Sequence, residues 1–107
     1  MKVATAAPIF AALGDPTRLS IVARLCTHGP QSITALTDAT DVTRQAVTKH
    51  LLALEEAGLV RGSREGRERI WELQGKRLDD ARAYLADISA RWDAAIDRLR
   101  AFVETDD

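Results

Sequence analysis

The sequence predicts one mainly α-helical domain, residues 1 to 107, that carries a small β-hairpin. Three observations lead to this fold class. Apolar residues recur at steps of three and four over most of the chain, which is the period of amphipathic helices. Gly and Pro divide these stretches at a few points, so each stretch is interpreted as a separate element. One segment in the second half alternates around a glycine instead, which is typical of two strands and a turn.

Composition limits the class of protein. Of the 107 residues, 46% are hydrophobic and 29% charged, which is the balance of a soluble globular protein. The longest apolar run is too short to span a bilayer and no secretory signal is apparent, so we expect a cytoplasmic location and no membrane partner. The single cysteine, Cys26, allows no internal disulfide.

Three short helices are predicted in the first half of the chain. The first covers residues 4–13 and ends at a glycine. Asp15 and Pro16 open the second helix, because Asp caps a helix N-terminus and Pro fits its first position. Ser32 caps a short third helix, which ends at a tight polar link over residues 38–42. The buried stripe of the second helix is expected at Leu19, Val22, Ala23 and Cys26.

The fourth helix, residues 43–57, is polar in its first turns and apolar afterwards. A short helix, a tight link and such a helix make a helix-turn-helix, in which the tip of the second helix enters the DNA major groove. Arg and Gln can each hold a base through two hydrogen bonds, so Arg44 and Gln45 are the candidates for reading bases. For His50, packing beside the helix is an equally good interpretation. The other candidate DNA contacts of this helix, to bases or phosphate, are Thr43, Thr48, Lys49 and His50.

Residues 59–73 are predicted to form the β-hairpin, or wing, with its turn within residues 63–67. Its second arm alternates, with Ile70 and Leu73 on the apolar side and Trp71 on the polar side. Arginines on and beside the arms could follow the DNA backbone or enter a narrow minor groove. Surface solubility is the competing interpretation for the arginines near the tip. The candidate DNA contacts of the wing are Arg64, Arg67 and Arg69.

The last helix, residues 76–103, contains no Gly or Pro and would be about 42 Å long. Its apolar residues step by three and four from Leu78 to Phe102, which is a heptad seam. Part of the seam would pack on the short helices, but the helix is longer than a domain of this size. We therefore expect a homodimer interface, with Trp92 as its hot spot. The predicted interface residues, including one from the first helix, are Phe10, Leu85, Ile88, Trp92 and Leu99.

Three motifs support a family resemblance: the run Ala12-Leu13-Gly14-Asp15-Pro16-Thr17-Arg18, the block from Thr43 to Val60, and Glu65-Gly66-Arg67. Together they closely resemble the ArsR-type winged helix-turn-helix repressors over nearly the whole chain. The resemblance implies a homodimer paired through its outer helices. Its two recognition helices would lie about 34 Å apart on an imperfect palindrome of double-stranded DNA. The resemblance also implies repression by blocking transcription initiation.

Many relatives of that type release DNA when a metal binds cysteines of the third helix or His and acidic residues of the last helix. Here the third helix contains no cysteine and the last helix no histidine, so neither site can be carried over. We expect no metal and no cofactor. The effector would be a small organic ligand, a thiol oxidant or none.

Two alternative functions remain open from the sequence. Cys26 and His28, near the end of the second helix, would support a thiol- or metal-responsive sensor of the same fold, although Cys26 is better interpreted as a small buried hydrophobe. A winged-helix module that binds proteins and not DNA is the other alternative. An enzyme is not expected, because nucleophile-elbow, P-loop and dinucleotide motifs are missing from the sequence.

Overall fold

A computed structural model describes residues 3–105 of the chain. The helices are α1 (Val3–Leu13), α2 (Pro16–His28), α3 (Ile33–Asp38), α4 (Arg44–Glu56) and α5 (Gly75–Thr105). The strands are β1 (Gln31–Ser32), β2 (Val60–Glu65) and β3 (Glu68–Leu73). The mainly α-helical class with a β wing is confirmed. No helix within this part of the chain is long and apolar enough to cross a membrane.

Side chains at the helix ends explain where the helices of the first half begin. The Asp15 carboxylate accepts hydrogen bonds from the backbone N–H groups of Thr17 and Arg18, at 2.9 and 3.0 Å. Ser32 and Thr43 cap α3 and α4 in the same way, with one backbone N–H bond of 3.1 Å each. Each such cap stabilises its helix by about 1 kcal/mol. Thr43 is thus the N-cap of α4 and not a member of it.

The C-terminal end of α4 is closed by backbone hydrogen bonds. Ala57 is the C-cap, and Gly58 follows with a φ of 79°. The N–H of Leu59 then donates to the carbonyl of Leu54 at 3.0 Å, which is the pattern that glycine at this position permits. This turn leads the chain from α4 directly into β2.

The core is one cluster that lies between the short helices and the sheet. Its largest fully buried members are Ile9, Ile21, Leu36, Leu51, Leu54, Leu59 and Trp71. The stripe predicted for α2 was right for Val22 but wrong for Leu19, Ala23 and Cys26, which are exposed. Ile21 and Leu25 are buried beside Val22 instead. Both sets have helical spacing. The rotation of α2 agrees with the contacts of Arg18, whose Nε donates to the carbonyl of Ala12 at the end of α1, at 2.7 Å.

The sheet has three antiparallel strands in the order β1-β3-β2. Gln31 and Ser32 of β1 pair with Trp71 and Ile70 of β3, and this pairing anchors the wing on the domain. The sequence did not predict β1, because two residues are too few to show a strand pattern. The prediction that Ile70 and Leu73 share the apolar side and Trp71 lies on the polar side was wrong. Trp71 and Leu73 face the core, and Ile70 lies on the other face because successive side chains of a strand alternate. The side chain of Trp71 is only 1% exposed. β3 is the central strand of the sheet, and the indole of Trp71 packs on the core.

The turn between β2 and β3 consists of two residues, Gly66 and Arg67, since Glu65 pairs with Glu68. Gly66 has a φ of 63°, as expected for a tight hairpin turn with glycine first. The turn predicted over residues 63–67 is therefore shorter than expected. β2 therefore extends three residues farther toward the tip, to Glu65, while β3 begins at Glu68, directly after the expected turn.

Helix α5 begins on the core and then leaves it. Leu78 and Ala81 pack against the core cluster, and the ring of Tyr84 lies 6.1 Å from that of Phe10 on α1. Beyond this point almost every side chain of α5 is exposed. The molecule measures 71 × 26 × 22 Å and has a radius of gyration of 18.8 Å, against about 13 Å for a compact chain of this length. The projecting half of α5 accounts for the difference.

Candidate nucleic-acid interface

The N-terminal part of α4 presents polar side chains to solvent. Arg44, Gln45 and Lys49 are exposed, and among residues 3–105 none of the three has a side-chain hydrogen bond or ion pair. The Thr48 hydroxyl instead donates to the carbonyl of Arg44 at 2.9 Å. Gln45 and Lys49 are four residues apart and therefore share one face of the helix. The free N–H groups at the start of a helix also favour a nearby anion such as phosphate.

His50 faces the protein. Its side chain is 22% exposed, and its Nδ1 lies 3.4 Å from a guanidinium nitrogen of Arg18 and 3.9 Å from a carboxylate oxygen of Asp15. Of the two interpretations given to this histidine, the packing role is the one that matches these contacts. The ring joins α4 to the N-terminus of α2.

The carboxylate of Asp15 is stabilised in its charged form at this junction. The hydrogen bond from the backbone N–H of Arg18 lowers the pKa of Asp15 below its ordinary value, and partial burial opposes the shift. The charge of His50 when protonated and the N–H of Thr17 lower the pKa further. Asp15 is therefore ionised at neutral pH while it caps α2.

The wing carries a concentration of positive charge. Arg64 and Arg69 are directly opposite each other on β2 and β3, and Arg67 lies in the turn. These arginines and Gly62 line a shallow concavity of about 460 Å³. Like charges at opposite positions repel each other, so an anion held between them would stabilise this arrangement. Arg61 differs, because Glu72 pairs with it at 2.9 Å.

Arg69 has partners that Arg64 and Arg67 lack within the described residues. Its guanidinium lies 4.8 Å from the centre of the Trp71 ring, and one of its nitrogens lies 3.9 Å from a carboxylate oxygen of Glu55. The same oxygen accepts a hydrogen bond from the backbone N–H of Gly62. Glu55 was not among the candidates from sequence. Nothing in its spacing indicates a contact with the wing, because the contact depends on how the chain turns after α4.

An apolar face continues along the projecting half of α5. Leu85 is 51%, Trp92 66% and Leu99 65% exposed, and Ile88 is exposed on the same face. Phe10, the candidate on α1, is instead half-buried against Tyr84 of its own chain. The exposed side chains Leu85, Ile88, Trp92 and Leu99 are named here the α5 seam.

The thiol of Cys26 is exposed near the end of α2, so its interpretation as a buried hydrophobe was wrong. His28 is exposed as well. Within residues 3–105, no group of three or more His, Cys, Asp or Glu side chains comes together as a set of metal ligands.

The chain is similar to known regulators. A family model described as a helix-turn-helix domain matches residues 13–63, from the end of α1 into β2. The HTH-type transcriptional regulator Rv2034 of Mycobacterium tuberculosis is 33% identical over 95 residues, which are 89% of this chain and 85% of that protein. The HTH-type transcriptional repressor SmtB of the same organism is 36% identical over 73 residues, which are 68% of this chain and 53% of that protein.

Solved structures show the same arrangement of helices and wing. An ArsR-like transcriptional regulator from Rhodococcus sp. RHA1 is 36% identical, with a TM-score of 0.78 and 92% of each chain covered. A homodimeric winged helix-turn-helix DNA-binding domain from Mycobacterium bovis is 25% identical, with a TM-score of 0.66 and coverage of 90% of this chain and 85% of that one. These similarities favour DNA binding over a protein-interaction module. The chain belongs to the ArsR family of winged helix-turn-helix proteins and is a DNA-binding transcriptional regulator, not an enzyme.

Proposed function

We propose that this regulator is a homodimeric repressor that binds a palindromic operator, with one α4 helix in each of two successive major grooves. The observation that carries the proposal is the α5 seam, an apolar face on a helix that has left its own core. The similar domain from Mycobacterium bovis is a homodimer. A twofold axis through the seam makes each seam residue contact the same surface of the partner, which closes the assembly at two subunits.

The dimer would read DNA through the tips of its two α4 helices. Arg44 and Gln45 are the base-reading residues in this proposal, because each can make two hydrogen bonds to a purine edge. Lys49 and Thr48, one turn later, contact bases or phosphate, and Thr43 contacts phosphate beside its capping role. His50 acts indirectly, by holding α4 against α2.

The wing would supply the remaining electrostatic contacts. Arg64 and Arg67 are exposed near its tip and bind phosphate or enter the minor groove. Arg69 lies opposite Arg64, and its side chain crosses the Trp71 ring. Repression follows when the dimer occupies promoter DNA and excludes the transcription machinery. SmtB, which resembles this chain over 73 residues, is a transcriptional repressor.

An organic effector suits this chain better than a metal, because no thiolate on α3 or imidazole on α5 is available as a ligand. A groove of about 390 Å³ between α1, α2 and α4 offers the polar groups of Arg18 and Glu56 beside apolar walls. Oxidation of Cys26 is the second candidate signal, and the exposure of its thiol favours it. A Cys26→Ser variant separates the two.

Selection of bound duplexes from a random-sequence DNA pool tests the proposal. We expect a palindrome whose half-sites have centres about 10 base pairs apart, the spacing of two recognition helices on one face of DNA. Sedimentation of the complex should give two protein chains per duplex. Recovery of a single, non-repeated half-site, or of one chain per duplex, would contradict the dimeric mode of binding.

A further inference from the structure

We propose that Glu55 is a positioning residue that fixes the wing relative to the recognition helix, so that the wing arginines meet DNA at the correct distance. The inference rests on the proposed contact between the wing and DNA. Glu55 lies in the last turn of α4, and one of its carboxylate oxygens accepts the N–H of Gly62 on β2 at 3.2 Å. The same oxygen lies 3.9 Å from Arg69 on β3. One side chain of the recognition helix therefore holds both strands of the hairpin.

The position of β2 in the sheet explains the first of these contacts. In the strand order β1-β3-β2, the strand β2 has a neighbour on one side only, so alternate N–H groups along it point away from the sheet. The N–H of Gly62 is one of them, and its acceptor is the Glu55 carboxylate. A hydrogen bond to an ionised acceptor is about twice as strong as one between neutral groups. It fixes the base of the wing to α4.

The second contact depends on the absence of a side chain at Gly62. A Cβ at this position would lie 2.6 Å from the Nε of Arg69 and 3.0 Å from the Trp71 ring. Glycine therefore leaves the space in which Arg69 crosses the indole and approaches Glu55. Trp71 is buried in the core. A continuous series of contacts thus runs from α4 through Glu55 and Arg69 to the centre of the domain.

The length of the wing turns a small movement at its base into a large one at its tip. From Gly62 to Gly66 the strand extends over about 13 Å, at roughly 3.3 Å per residue. A tilt of about 15° at Gly62 would move the tip by about 3 Å, because the tip lies about 13 Å from that residue. Such a displacement exceeds the tolerance of a hydrogen bond to phosphate. The contacts of Arg64 and Arg67 should depend on Glu55, although Glu55 itself does not touch DNA.

The test uses Glu55→Ala and the matched control Glu56→Ala on the full chain, with the duplex recovered by selection as the probe. Glu56 is exposed beside the groove along α1 and carries the same charge. Either substitution removes one negative charge from the last turn of α4, so the control measures the effect of the change in net charge. Glu55→Ala should bind DNA roughly tenfold more weakly than the control. The slope of log affinity against log salt concentration should become less negative by about 1.8, the value for two lost phosphate contacts.

A double variant of the wing, Arg64→Ala with Arg67→Ala, separates the inference from the proposed function. In that background Glu55→Ala should have no further effect on DNA affinity, because a positioning residue acts only through the groups it positions. If the wing variant binds like the wild type, the wing contact itself is refuted. If the wing variant weakens binding and Glu55→Ala does not, or if the two effects add fully, only the positioning role of Glu55 is refuted.

A measurement without DNA completes the test. The amide hydrogen of Gly62 should exchange with solvent at least tenfold faster in Glu55→Ala than in Glu56→Ala. Glu55→Gln keeps an acceptor for that amide but not the charge near Arg69, so it should show slow exchange together with a partial loss of the salt slope. Equal exchange rates at Gly62 in all three variants would overturn the contact. Should Glu55→Ala fail to fold, Glu55→Gln still tests the contact with Arg69, and a salt slope equal to that of the Glu56→Ala control would refute it.

Discussion

Replacement of Trp92 by Ala should dissociate the dimer. A tryptophan side chain has up to roughly 250 Å² of surface, and Trp92 is 66% exposed in the protomer, which leaves about 160 Å² per copy for the partner to cover. Complete coverage would contribute about 4 kcal/mol per copy at about 25 cal/mol per Å². With half of that area covered, the two copies lose about 4 kcal/mol together, which raises the dimer dissociation constant about a thousandfold.

Sedimentation velocity over a range of protein concentrations measures this effect, and Asp93→Ala on the solvated face of α5 is the control. The last core residue along α5 is Ala81, so Trp92→Ala should unfold at the same temperature as the wild type once the dimer contribution is removed. DNA affinity should fall as well, because two half-sites bound through one dimer gain from effective concentration. A Trp92→Ala protein that dimerises as tightly as the control would refute the α5 seam as the interface.

Three further outcomes are expected. The double variant Arg44→Ala with Gln45→Ala should remain dimeric but bind the selected duplex and a scrambled duplex equally, and retained preference in a competition assay would contradict base reading by these residues. Cys26→Ser should bind and release DNA like the wild type under peroxide, and loss of an oxidant response in this variant would establish the thiol sensor instead. Asp15→Asn keeps a helix cap but loses the charge, so urea unfolding should show it to be less stable at pH 7. Because the pKa of Asp15 is lowered in the folded state, this difference should vanish as the pH falls through that pKa, and a difference that persists in acid would contradict the charge effect.

The helix starts could be predicted because their causes are local. Asp15, Ser32 and Thr43 each bond to N–H groups within three residues, so short stretches of sequence contain all the information needed. The phase of α2 and the burial of Trp71 could not be predicted in this way. Both depend on packing against other helices and strands of the domain. Two sets of apolar residues with equal spacing cannot be distinguished until the position of those elements is known.

The candidate interface shows the same division. Arg44, Gln45 and Lys49 are exposed on the first turns of α4. The change from polar to apolar residues along this helix predicted that exposure. Their roles on DNA stay predictions. The contacts of His50 and Glu55 involve residues far along the chain, so the sequence left the first ambiguous and gave no sign of the second.

In the proposed dimer, the long exposed face of α5 would make the activity of this regulator depend on its abundance. A protomer that meets no partner keeps large apolar side chains in water, and the assembled form increases with the square of the protomer concentration when protein is scarce. Newly made chains would therefore leave the operator empty until their number passes a threshold. A gene under such control would be repressed over a narrower range of protein concentration than a monomeric regulator gives, with no signal molecule required.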